Sequence, residues 1–108
     1  MIVKNCSNSS VSLEHEGQVK VWHLLEECKT VDHVEEVMVE KELKPHRSSV
    51  PAEEFYYIIK GRGVMYIDGE EKEVFPGDLV YIPPGALHGI KVLGDSVLHF
   101  LSWKVLLK

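Results

Sequence analysis

The sequence predicts an all-β chain folded as a small antiparallel sandwich or barrel. Short runs rich in β-branched and aromatic residues recur from Gln18 to the end of the chain. Glycine-, proline- and aspartate-bearing turn signals separate them at short intervals. Length adds a bound: 108 residues hold one hydrophobic core, so residues 1–108 are expected to form a single domain.

Residues 1–17 read as an N-terminal loop or edge strand, softest over Asn5 to Ser12, where Asn and Ser cluster. Strand formers then appear at Val19, Val21 and Trp22 to Leu25, and again from Val34 to Glu40. A helix drawn over Leu24 to Lys41 is the competing reading, but Val31 to Val39 carries too many β-branched residues to favour it. Further strands are expected at Glu54 to Ile59, Val64 to Asp68, Glu73 to Phe75, Leu79 to Ile82, His88 to Leu93 and Val97 to Trp103. The turns between them are Gly61-Arg62-Gly63, Asp68-Gly69, Pro76-Gly77-Asp78, Pro83-Pro84-Gly85 and Gly94-Asp95. Asp68-Gly69 is the strongest hairpin signal, because both central residues of a type I′ turn need positive φ.

Two strands, Glu54 to Ile59 and Leu79 to Ile82, are apolar on both faces. A small barrel buries only its inner face, so the outer face needs a cover. That cover is a second subunit, making a homodimer, or another layer of the same chain.

A net charge of −5 argues against nucleic acid, which demands a basic surface. The longest mostly apolar stretch, Val97 to Leu107, is interrupted by His99 and Lys104 and is too short to span a bilayer. The start of the chain turns polar at Lys4, so no secretory signal is expected. Two cysteines, Cys6 and Cys28, form neither a disulfide framework nor a zinc knuckle, and the expected compartment is the cytoplasm.

The most specific stretch runs from Gly77 to His88. It reads as a turn, a buried strand, and a Pro83-Pro84-Gly85 reversal that aims His88 in a fixed direction. Here the sequence resembles the cupin family. Gly77, Pro83, Gly85 and His88 match the family's second motif, G-x5-P-x-G-x2-H, without a gap; Val92 stands where the family usually ends it with Asn. The first motif, G-x5-H-x-H-x3/4-E-x6-G, survives at its end as Glu54 and Gly61. Its start is eroded. One alignment puts its two histidine positions on Ser48 and Val50, and one with an extra loop residue puts them on His46 and Ser48.

The resemblance implies a jelly-roll (double-stranded β-helix) barrel of the cupin type, with a divalent metal held inside by imidazoles and a carboxylate. This chain offers His46, Glu54 and His88, a set suited to Fe, Mn, Ni, Zn or Cu. Open positions on such an ion would take a small polar metabolite, for oxygenase or isomerase-like chemistry. Ser48 would hold no more than a water.

Strand parity puts Glu54 on one face with Tyr56 and Ile58, and an inward carboxylate needs a metal, a proton or a cation. Tyr56, Tyr66 and Phe100 are the candidate ligand-contacting residues, with Met38 and Ile58 as further lining. His23 and His99 read as satisfied core histidines, His15 and His33 as exposed loop residues, and Cys28 as a half-buried inert thiol. Three functions stay open at this level: a metal-dependent enzyme, a non-catalytic small-ligand module with a degenerate metal site, and a structural dimer.

Overall fold

A computed structural model describes residues 1–26 and 28–107. It is all-β apart from one short 3-10 turn, Cys6–Asn8. The ten strands are β1 (Ser10–Glu14), β2 (Val19–Leu25), β3 (Val31–Val39), β4 (Glu42–His46), β5 (Ala52–Lys60), β6 (Arg62–Ile67), β7 (Glu70–Val74), β8 (Leu79–Ile82), β9 (His88–Leu93) and β10 (Leu98–Leu106). They form two antiparallel sheets, one ordered β1-β2-β3-β10-β5-β8 and the other β4-β9-β6-β7. Among the described residues, no helix is long and apolar enough to cross a membrane.

All eight expected strands are present, β8 and β9 with the expected ends and most of the others with an end shifted. Two more appear. The N-terminal segment does form an edge strand, β1, paired with β2. The segment before the eroded motif forms β4, paired with β9. At the β6–β7 turn, Asp68 (φ 44°) and Gly69 (φ 90°) both adopt the left-handed conformation, as their sequence requires.

Register shows why the barrel has an open polar end. Across the larger sheet, Val21 pairs with Val37, Val37 with Phe100 and Phe100 with Ile58, an apolar row on the inner face. Two residues along, the row reads His23, Glu35, Ser102 and Tyr56, and beyond it Lys104 faces Glu54. The apolar rows close one end of the barrel. Each fully buried side chain there, such as Phe100 or Ile58, contributes roughly 1.5–3 kcal/mol by leaving water. The polar rows lie at the other end, where they line a cavity.

The outer faces of β5 and β8 stay uncovered by this chain. Tyr57, Ile59, Leu79 and Tyr81 are 43–59% exposed. Phe55 packs beside them between Trp103 and Tyr81, with ring centroids 5.3 and 5.4 Å away.

β4 and β9 approach unusually closely. A Cβ on Gly89 would meet the Leu43 carbonyl oxygen at 2.6 Å and the Pro45 nitrogen at 2.8 Å, well inside normal contact. This absence of a side chain lets His46 and His88 sit opposite each other in register. Gly89→Ala is therefore expected to lower stability by roughly 1–3 kcal/mol, read from urea unfolding. A variant as stable as the parent would contradict the close approach.

Candidate metal centre and ligand cavity

The second-motif turn is held from three sides. Ala86 N–H donates to Pro83 O within it, and Gly85 supplies the reversal at φ 73°. Asp68 grips the next residue twice: its Oδ1 accepts from Leu87 N–H at 2.8 Å, and its own N–H donates to Leu87 O at 2.9 Å. Arg47 Nη1 donates to Gly85 O, tying the turn to the loop after β4. His88 leaves this turn fully buried. Its Nδ1 donates to Ala86 O at 3.0 Å, so in the neutral ring Nε2 carries a bare lone pair.

Nε2 of His88 is buried without a hydrogen-bond partner among the described residues and lies 3.4 Å from Glu54 Oε1. Glu54 comes from β5 in the opposite sheet, and parity with Tyr56 and Ile58 turns it inward as the alternation predicts. His46, at the end of β4, is oriented in the same way as His88. Its Nδ1 donates to Lys44 O at 2.9 Å, leaving Nε2 free. The His46 and His88 ring centroids are 4.4 Å apart. Of the two alignments of the eroded motif, the arrangement matches the one that keeps His46. Ser48 lines the cavity beside it.

Burial is the main influence on all three groups. It lowers the pKa of both imidazoles below the ordinary histidine value and raises that of Glu54 above the ordinary carboxyl value. Two neutral imidazoles with free Nε2 atoms and one inward carboxylate are a donor set that fits a divalent cation. Among the described residues, no three His, Cys, Asp or Glu side chains are already drawn together as a finished metal cage. The fit therefore rests on donor chemistry and on the orphaned His88 nitrogen.

The cavity above these residues has a volume of about 530 Å³, and His46, Glu54, Tyr56 and Phe100 line it. Tyr56 and Phe100 stack at 4.1 Å between centroids to form its apolar floor. Of the other expected contacts, Tyr66 is not brought to the cavity. It faces outward from β6, because Met65 and Ile67 take the inner side, and it lines a separate groove with Pro45 and Glu71. Met38 likewise lines an outer groove, and Ile58 is sealed in the core.

A polar wall faces the histidines. His23 is not a core histidine: it stands at the cavity edge with Ser12 Oγ 2.7 Å from Nε2, and Glu14, Glu26 and Glu35 within 3.3–3.7 Å. His33 is not in an exposed loop. It lies in β3, with Nδ1 2.7 Å from Asp32 and Nε2 3.4 Å from Glu35 without hydrogen-bond alignment. Glu35 holds its pKa above the ordinary value against the opposing pull of burial. Two further expectations are corrected. His99 sits on the outer face of β10, part-buried beside Trp22 and Glu36, and Cys28 is exposed. The missed wall had a signal in the sequence. Val37 and Val39 point inward, and the same alternation carried back along β3 reaches Glu35 and His33.

Comparison with known proteins agrees with this architecture. A family model described as a cupin domain matches residues 33–104. The chain belongs to the cupin family. Among cupin relatives, it is 31% identical over 97 residues to an oxalate-binding protein of Thermotoga maritima, covering 84% of this chain and 78% of that one. It is 42% identical over 59 residues to the dimethylsulfoniopropionate lyase DddW of Ruegeria pomeroyi, covering 55% and 37%. It is also 48% identical over 50 residues to the uncharacterized protein MJ1618 of Methanocaldococcus jannaschii, covering 46% and 40%. The chain thus spans about two fifths of the length of these last two relatives. A Thermotoga maritima structure described as a predicted oxalate decarboxylase superposes with a TM-score of 0.84 at 24% identity, covering 97% of this chain and 99% of that one.

Proposed function

We propose that this cupin binds a divalent metal through His46, Glu54 and His88 and takes a small polar metabolite in the barrel mouth. The observation that carries the reading is the fully buried His88 Nε2, unpartnered and turned toward a buried carboxylate oxygen. Two acceptors so placed need a proton or a metal cation between them, and the free His46 Nε2 beside them supplies a further donor for a metal. A bound Fe, Mn, Ni, Zn or Cu ion would supply Lewis acidity, or dioxygen chemistry if ferrous.

The protein's own residues do the rest. Lys44 O and Ala86 O fix the two rings. Tyr56 and Phe100 exclude water from below. Arg47 and Lys104 offer positive charge at the cavity wall, and Glu14, Glu26 and Glu35 offer acceptors for hydroxyl or cationic groups. A volume of about 530 Å³ suits a small organic ligand, and the relative named for binding oxalate supports a small acid as the first class to try. A second reading, a ligand-binding module without metal, is favoured by Ser48 at a position where the family places a ligand.

Metal analysis separates the two. After incubation with Fe(II), Mn(II), Ni(II), Zn(II) or Cu(II) and desalting, the metal reading expects close to one ion per chain for one of them, and near none for His88→Ala. Oxalate that stabilises the protein equally with and without chelator, in the absence of stoichiometric metal, would establish the metal-free module instead.

We also propose a homodimer through the outer faces of β5, β8 and β10. Phe55, Tyr57, Ile59, Leu79, Tyr81 and Trp103 make one apolar patch contributed by three neighbouring strands, and a two-fold pairing would cover it on both copies at once. Sedimentation equilibrium is expected to give twice the chain mass, falling to the single-chain value in Leu79→Lys. A monomeric parent protein at micromolar concentration would overturn it.

A further inference from the structure

We propose that His15, on the turn between β1 and β2, is an additional ligand of that metal and replaces the imidazole absent at Ser48. The inference rests on the metal reading above and adds a residue from a different part of the chain. The His15 ring centroid lies 4.3 Å from that of His46, which lies 4.4 Å from that of His88. The three imidazoles form a continuous arc, and His15 and His46 line the same cavity as Glu54.

Hydrogen bonds hold this arc from the backbone upward. His15 O accepts from Gln18 N–H at 3.1 Å, closing the turn. The Gln18 side chain then reaches across, its Oε1 accepting from Lys44 N–H at 2.9 Å. Lys44 O in turn accepts from His46 Nδ1 at 2.9 Å. A single relay thus connects the turn carrying His15 to the ring of His46, fixing the spacing of the two residues. Without it, an edge hairpin would be free to pivot.

The turn also has an uncommon backbone. His15 (φ 52°), Glu16 (φ 59°) and Gly17 (φ 82°) are all left-handed, and only the last is glycine. Non-glycine residues enter that region at a steric cost, and strain of this kind concentrates at functional sites. In this turn His15 is exposed and lines the mouth of the cavity. With His15 included, the donor set becomes three imidazoles and one carboxylate, drawn from β4, β5, β9 and the β1–β2 turn.

The test uses the full chain and Co(II), whose paramagnetism shifts the ring protons of every bound imidazole. The NMR spectrum of the Co(II) form is expected to show three shifted imidazole rings in the parent protein and two in His15→Asn. Asparagine is chosen because it accepts the left-handed backbone. Chelator competition is expected to show at least a tenfold weaker Co(II) affinity in the variant. Three outcomes overturn the proposal. Two shifted rings in the parent, or an unchanged affinity in a folded His15→Asn, remove His15 while leaving the His46, Glu54 and His88 site standing. Failure of the parent to bind Co(II) and each of Fe(II), Mn(II), Ni(II), Zn(II) and Cu(II) removes both. Should His15→Asn fold poorly, the ring count in the parent alone decides.

Discussion

Inside this barrel a histidine lone pair and a carboxylate oxygen face each other at 3.4 Å with no hydrogen bond between them. His88 cannot turn its proton toward Glu54, because Nδ1 is already committed to Ala86 O. The architecture around the pair serves to keep it there. Gly89 lets β4 press against β9, Asp68 and Arg47 anchor the turn before His88, and the inward parity of β5 delivers Glu54 from the other sheet. Relaxing any of these would let the two groups separate or rehydrate.

The cavity is graded rather than uniform. Toward the closed end the inner rows are valine, isoleucine and phenylalanine; toward the mouth they become His23, Glu35, Ser102 and Lys104 on the same strands. This gradient separates two tasks. The apolar rows contribute stability by burial, while the polar rows supply the groups that face the cavity. Stability and recognition therefore share strands and meet at Tyr56 and Phe100, which belong to the core and also form the cavity floor, as expected of a fold that hosts many chemistries.

Much of this was legible in the sequence. The Pro83-Pro84-Gly85 turn located His88, and period-two alternation oriented Glu54, because each depends on local backbone geometry. The sequence leaves His46 between two alignments, since a loop of Ser and Pro carries no periodicity. β4 itself was invisible: Glu42, Leu43, Lys44 and Pro45 show no clear alternation, and only pairing with β9 makes them a strand. Tyr66 was misplaced because Val64 to Ile67 is apolar throughout, so parity could not choose its inner face. His15 was out of reach for a different reason. Its position depends on Gln18 bridging to Lys44, a contact between residues 26 apart, and nothing in the turn's own sequence announces it.

Burial holds Glu54 in an electrostatically costly place that a bound cation would relieve. Burial raises its folded-state pKa above the unfolded value. For an acid shifted in this direction, ionisation costs folding stability at pH above the unfolded carboxyl value and nothing below it. The decisive measurement is the thermal midpoint of metal-free Glu54→Gln against the parent at pH 7 and at pH 4, with and without added Ni(II). The variant is expected to be more stable by about 4 °C at pH 7, a shift on the order of 1 kcal/mol for a domain of this size. No difference is expected at pH 4, and Ni(II) is expected to stabilise the parent more than the variant. A variant that is no more stable than the parent at pH 7, or that gains as much from Ni(II) as the parent does, would contradict this expectation.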